Sequence, residues 1–247
     1  MKQFIFMLFF ISSLFAKEIT LTSSDGFKLH AWLDKPTNTQ KSAPIILFAH
    51  QFGADHTIWS DLAKKFNQKG YVTLNVDLRG HGKSILQNGQ KNSVITDVGL
   101  DHIREALKQS NKKVVFKNIP SDLMLWLEHL SEDDTIDMDR LYLFGSSLGG
   151  GGIIPLLSEY EAKGLVAISS GRLAELSEET DMALSMSMTK QLYIAAKNDP
   201  LGAAQRSLDY AKKAILGTAI IISGDGHGTV LLPQVEEYIF TFMQQIK

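Results

Sequence analysis

The sequence has no cysteine among its 247 residues. That excludes disulfide bridges, thiolate-bound zinc, a cysteine nucleophile and a lipid-modified cysteine near the N-terminus. Charge of one dominant sign is also missing, with 25 Lys and Arg against 27 Asp and Glu. Without a basic field to neutralise a phosphate backbone, no nucleic-acid partner is expected, and a small ligand is the better expectation. The chain also lacks an apolar run of roughly 20 residues, the length that spans a bilayer. Its apolar stretch from Phe4 to Phe15 falls short of that.

What that stretch does carry is a positive Lys2 before it, a small Ala16 after it and a polar Lys17 beyond. This is the layout of a secretory signal peptide over residues 1–16, with cleavage after Ala16. It predicts a bacterial periplasmic or secreted protein, soluble once the segment is removed. The rest is 44% hydrophobic and 21% charged overall, the make-up of a globular protein. Residues 17–247 read as a single α/β domain, with no internal repeat and no interdomain linker.

Two alternating segments, "EITLTSS" and "FKLHAWLD", flank a "DG" turn and predict an N-terminal antiparallel hairpin. "APIILFAH" and "YVTLNVDL" are nearly continuous apolar runs, as strands buried on both faces require, and a helical pattern from Trp59 to Gln68 lies between them. The alternation continues. Helix "PSDLMLWLEHL" leads to strand "RLYLFGS", then to a helix over about 148–160 and to strands "GLVAIS" and "QLYIAA". A helix around Ala203–Ala214, strand "TAIIIS" and a last helix from Pro233 to Ile246 complete it. The expected fold is a mostly parallel, doubly wound sheet of about eight strands with right-handed crossovers.

Two segments interrupt the rhythm. Residues 80–118 form a long excursion with a helix expected at "TDVGLDHIREALKQ", a solvated face at "NKKVVFKN", and the length of a cover over a site. Residues 171–190 include "ALSMSMTK", whose methionines suit either core filling or the lining of an apolar pocket. Trp126 and Leu127 are expected in the core.

"YLFGSSLGGGG" at 142–152 ends an apolar run with two serines and four glycines. Neither G-x-x-x-x-G-K-[ST] nor G-x-G-x-x-G can be completed there, and "GKS" at 82–84 has Asp77 where the first glycine belongs, so the nucleotide-binding patterns fail. Gly145, Ser147 and Gly149 do complete G-x-S-x-G, in which a nucleophile sits on a sharp turn from strand to helix. Gly150, Gly151 and Gly152 exceed what that turn needs. A serine hydroxyl requires a base, and the base an acid to hold its tautomer. Asp199 and His227 each follow a predicted strand, at the same C-terminal sheet edge as Ser147. Asp225 is a rival acid that better suits the glycine-rich loop.

With "FAHQFGADHTIW", "NVDLRGHGKS", "YLFGSSLGG", "AAKNDP" and "SGDGHGT" in place over most of residues 45–230, the chain resembles the α/β-hydrolase family. The resemblance implies a catalytic Ser147, Asp199 and His227, with an oxyanion hole built from the backbone N–H groups of Leu148 and, through "HQFG", Phe52. Gln51 stands where the family usually has glycine, and Ser146 where it often has histidine. The "DLRGHGKS" stretch is implied to be mostly structural. The expected activity is hydrolysis of a carboxylic ester through an acyl-enzyme on Ser147, with no metal and no organic cofactor. Thioesterase and peptidase activities share these motifs. Dehalogenase and epoxide hydrolase chemistry, which use Asp as nucleophile, and the Cys-dependent dienelactone branch are disfavoured. The rival from another class is a ligand-binding protein on a hydrolase scaffold.

Overall fold

The computed structural model describes residues 16–37, 42–96 and 102–246. The expected signal peptide, apart from Ala16, lies outside them. Among the described residues, ten strands form one sheet. β1 (Lys17–Thr22) and β2 (Phe27–Asp34) make the expected antiparallel hairpin. β2 continues antiparallel onto β4 (Val72–Asp77), which opens a parallel run through β3 (Ala43–Ala49), β7 (Ile136–Ser146), β8 (Gly164–Ile168), β9 (Lys190–Ala196) and β10 (Gly217–Ile222). The strand count departs from about eight because β5 (Leu86–Gln87) and β6 (Gln90–Lys91) form a small hairpin on the outer edge of β2. Strands of two residues are too short to show an alternating pattern in sequence.

Side chains alternate between the two faces, and each face builds its own core. Ile45, Leu47, Leu74, Leu143 and Leu165 pack on one side, together with Trp126 and Leu127 of α3 (Ile119–Ser131). Ile46, Phe48, Phe144, Val166 and Ile194 pack on the other, beneath α1 (Ser60–Asn67) and α7 (Leu232–Gln245). Covered faces on both sides explain why the central strands read as nearly continuous apolar runs.

Two expectations shift. The excursion's helix is α2 (Ile103–Val114), later than 96–109, and it stops where Val115 takes a left-handed φ of 62°. In "NKKVVFKN" the lysines are exposed as expected, while Val114 and Phe116 among them are buried. In the second irregular segment a helix, α5 (Ser177–Met186), forms, and Met182, Met186 and Met188 are exposed, so these three neither fill the core nor line a closed pocket.

The "DLRGHGKS" stretch is cross-linked from within. Asp77 accepts hydrogen bonds from His56 N–H and Nδ1, both at 2.8 Å, and from Lys83 N–H at 2.7 Å. Burial alone would raise this carboxyl; the hydrogen bonds from His56 and Lys83 outweigh it and hold it below the usual carboxylate range. Arg79 is 1% exposed and donates to Asp122 at 2.6 and 2.7 Å and to Asp25 at 2.8 Å. It thereby fastens the first hairpin to α3. Removing one partner of such a buried pair leaves an uncompensated charge.

Candidate active site

The chain leaves β7 at Ser146 and enters α4 (Leu148–Ile153) one residue later. That abrupt change of direction puts Ser147 at φ 46° and ψ −110°, a conformation most side chains avoid. The crossing leaves no room for side chains on either side of it. A Cβ at Gly145 would lie 2.7 Å from the Gly149 carbonyl oxygen, and one at Gly149 would lie 2.4 Å from that of Ala49. The extra glycines have the same cause. A Cβ at Gly152 would stand 2.6 Å from Ile119 Cγ2, and those at Gly150 and Gly151 would each stand 3.1 Å from the 170–171 backbone. α4 is therefore wedged between α3 and the loop after β8. It is also shorter than the helix expected to reach 160, giving way to a 3-10 turn over Ile154–Ser158 with Pro155 in its first turn.

Ser147, Asp199 and His227 come together. His227 Nε2 is 2.7 Å from Ser147 Oγ, and His227 Nδ1 is 2.8 Å from Asp199 Oδ2. The loop that carries His227 bends through Gly224, Gly226 and Gly228, all at positive φ. Asp199 divides its two oxygens between tasks. Oδ1 accepts from Leu201 N–H at 2.9 Å and lies 3.4 Å from Ala203 N at the start of α6 (Ala203–Lys213), so it shapes the turn, while Oδ2 faces the imidazole. Burial alone would push the Asp199 carboxyl up; the hydrogen bond and charge of His227, with the Leu201 N–H, hold it below its ordinary value. Asp225 is exposed and makes no hydrogen bond to His227.

Leu148 N–H is at the first position of α4, one of the donors a helix leaves without an internal partner. Among the described residues neither it nor the Phe52 N–H is taken up by a backbone carbonyl in the loops and turns. Phe52 follows β3, with its ring turned to His81 and Phe116 at 5.5 and 6.1 Å. His50 beside it is fully buried and its pKa is pushed down by that burial. In this neutral state Nε2 accepts from Leu78 N–H at 2.9 Å and Nδ1 donates to the Gln51 carbonyl at 2.7 Å.

The contact of Gln51 with Ser146 was not visible in the sequence. Its side-chain Oε1 accepts from Ser146 Oγ at 2.8 Å and lies 3.2 Å from both Thr229 N and Thr229 Oγ1. The two positions that depart from the usual family pattern thus bond to each other and clamp the His227 loop to the serine turn. Replacing Gln51 with leucine would leave these donors without an acceptor, a loss of order 1–3 kcal/mol. We expect kcat to fall about tenfold with little change in KM; steady-state kinetics on a short aryl ester would check this.

A cleft of about 300 Å³ opens over Ser147 and His227, walled by Leu107, Leu148, Leu173 and Leu201, with arginines at its edge. Leu107 comes from α2, so the excursion flanks the site. Elsewhere, Asp55, His56 and Asp77 offer ligand atoms within 4.8 Å of one another, but Asp77 is committed to His56 and Lys83 and Asp55 to Thr57, which suits a structural role.

Comparisons with known proteins agree with this fold. Est1E of Butyrivibrio proteoclasticus, in a structure with ferulic acid bound, has the same fold at 18% identity and a TM-score of 0.68, over 92% of this chain and 98% of that one. An acetyl xylan esterase from Paenibacillus sp. R4 shares 15% identity at a TM-score of 0.67, over 93% and 83% of the two chains. A dienelactone hydrolase from Anabaena variabilis shares 18% at 0.61, over 94% and 96%. At these identities the likeness is one of fold. No curated protein matches the chain in sequence. Residues 7–168, well over half of the chain, match the acetyl xylan esterase (AXE1) family. The chain belongs to that family, within the α/β-hydrolases, and is a serine ester hydrolase.

Proposed function

We propose that this enzyme removes a short acyl group, acetyl foremost, from an alcohol oxygen, with Ser147, His227 and Asp199 as its catalytic residues. The observation that carries the assignment is the unbroken pair of hydrogen bonds from Ser147 Oγ through His227 to Asp199, at 2.7 and 2.8 Å. A short acyl group fits the small cleft with its leucine wall at Ser147 and the name of the matched family.

Asp199 accepts from His227 Nδ1–H, which leaves Nε2 free to take the Ser147 proton. The serine oxygen attacks the ester carbonyl carbon, and the oxyanion that forms is received by the N–H groups of Leu148 and Phe52, each worth about 3 kcal/mol in comparable sites. As the carbon–oxygen bond to the alcohol breaks, His227 returns the proton to the departing oxygen. Water then attacks the acyl-serine, giving its proton to His227, which passes it to the departing Ser147 oxygen as the acid is released. Each proton lost by a nucleophile is taken by His227, so no metal or organic cofactor is needed.

A fluorophosphonate probe together with p-nitrophenyl acetate tests this. Native enzyme is expected to take up the probe at Ser147 and to lose esterase activity in step. Undiminished turnover by the fully labelled enzyme would reject the assignment.

We further infer export through cleavage after Ala16. In support, β1 begins at Lys17, so cleavage there spares every described element. Protein from a periplasmic fraction should have an intact mass that begins at Lys17; a mass that retains residues 1–16 would contradict this.

A further inference from the structure

We propose that the cleft beside Ser147 takes an ester that also carries a carboxylate, which Arg172 and Arg206 bind with Arg104 at the rim. This rests on the serine-esterase reading above and adds the chemical class of the substrate.

Three cations line this cleft and no Asp or Glu does. The chain as a whole carries a net charge of −2, so the excess is local. The three come from separate parts of the fold: Arg104 from α2, Arg172 from the loop after β8 and Arg206 from α6. Gathering like charges around one opening is unfavourable in the empty enzyme, and an anion relieves it.

The hydrogen bonds of two of the arginines strengthen the case. Arg172 Nε donates to Ser177 Oγ at 3.3 Å. Arg206 donates from Nη1 and Nη2 to the Leu201 carbonyl at 3.5 and 3.1 Å and from Nη1 to that of Gly202 at 3.4 Å, while its Nε is shut off from solvent with no partner. All these acceptors are neutral. They fix the position of each guanidinium without cancelling its charge, and among the described residues neither forms an ion pair. Asp181 nearby is paired with Lys213 at 2.5 Å. A guanidinium held in this way is ready for a carboxylate, which its planar fork can grip with two parallel hydrogen bonds.

The space continues in the right direction. A second cleft of about 490 Å³ shares Arg172 and Arg206 and adds Lys212 and Lys213, four cations against the two carboxylates of Asp181 and Asp209. An ester whose reacting carbonyl sits at Ser147 can therefore extend past the two arginines. An acyl ester of a sugar acid is one chemical class with this shape.

The test uses matched pairs of esters. 4-Acetoxybenzoate against its methyl ester places the carboxylate on the alcohol side; 4-nitrophenyl hemisuccinate against 4-nitrophenyl butyrate places it on the acyl side. Each kcat/KM is divided by the ester's own rate with hydroxide. At least one pair is expected to favour the anionic member about tenfold, since one exposed ion pair is worth up to about fivefold and two act together. The preference should shrink at high salt and fall toward unity in Arg172→Gln. Arg104→Gln, at a residue that lines only the first of the two clefts, should reduce it less. A native ratio near one in both pairs, or a preference untouched by salt and by Arg172→Gln, overturns the proposal while leaving the esterase reading intact, because the neutral esters are still cleaved. If neither member of either pair is cleaved, the esterase reading itself fails and this inference falls with it.

Discussion

Ser147→Ala is expected to lower kcat on p-nitrophenyl acetate by about 10⁵-fold, or about 7 kcal/mol, with KM within a few-fold of the native value. The size follows from what the hydroxyl does. Without it no acyl-enzyme can form, and the remaining rate comes only from binding and from the Leu148 and Phe52 N–H groups acting on direct attack by water. The fold should survive. Ser147 is 9% exposed, and Oγ's one recorded hydrogen bond goes to His227, so alanine removes no packing atom deeper than the cleft wall. The strained φ of 46° is the same for either side chain. Thermal unfolding should therefore stay within about 1 kcal/mol of native. Activity lost together with the melting transition would instead mean that Ser147 is needed for folding.

Asp199→Asn should cost nearly as much, about 10³–10⁴-fold in kcat. Oδ1 is held by Leu201 N–H at 2.9 Å, so the asparagine keeps its carbonyl oxygen there and turns its NH₂ toward His227. An NH₂ facing Nδ1 selects the imidazole tautomer with its proton on Nε2, which can no longer accept the proton of Ser147. The same substitution has a signature in acid. Asp199 is held below its ordinary value in the folded protein, so its contribution to stability is present above about pH 4, the unfolded carboxylate value. It is lost as the pH falls through the lower folded value. Asp199→Asn lacks this contribution, so its stability should decline less steeply than the native protein's over that acid window in pH-dependent denaturant melts. A parallel decline would show that the Asp199 carboxylate gains nothing from His227 on folding.

The parts of this fold that could be read from sequence are those in which one local pattern has one cause. β3 and β8 are apolar throughout because both faces of the sheet are covered, and "DG" marks the first hairpin because the turn there needs Gly26 at φ 88°. Ser147, Asp199 and His227 were legible for a topological reason, since each follows a parallel strand and all must emerge at the same edge. The surplus glycines after Ser147 had no local explanation. Their cause is the approach of Ile119, Ser170 and Gly171, which lie near in space and distant in sequence. Gln51 and Ser146 could each be noticed singly, but nothing in a linear sequence says that Oε1 of one meets Oγ of the other. The arginine rim left no trace either, because residues 104, 172 and 206 each look like an ordinary solvated charge until the fold brings them to one opening.

The central claim is that acyl transfer passes through Ser147 Oγ. Mixing native enzyme with excess p-nitrophenyl acetate, quenching in acid within the first turnovers and mapping the digest by mass tests it most directly. An acetyl group on the peptide that holds Ser147, absent from the Ser147→Ala digest, is the predicted result. Steady ester turnover with that peptide unmodified, or with the acetyl group on another residue in both proteins, would contradict it.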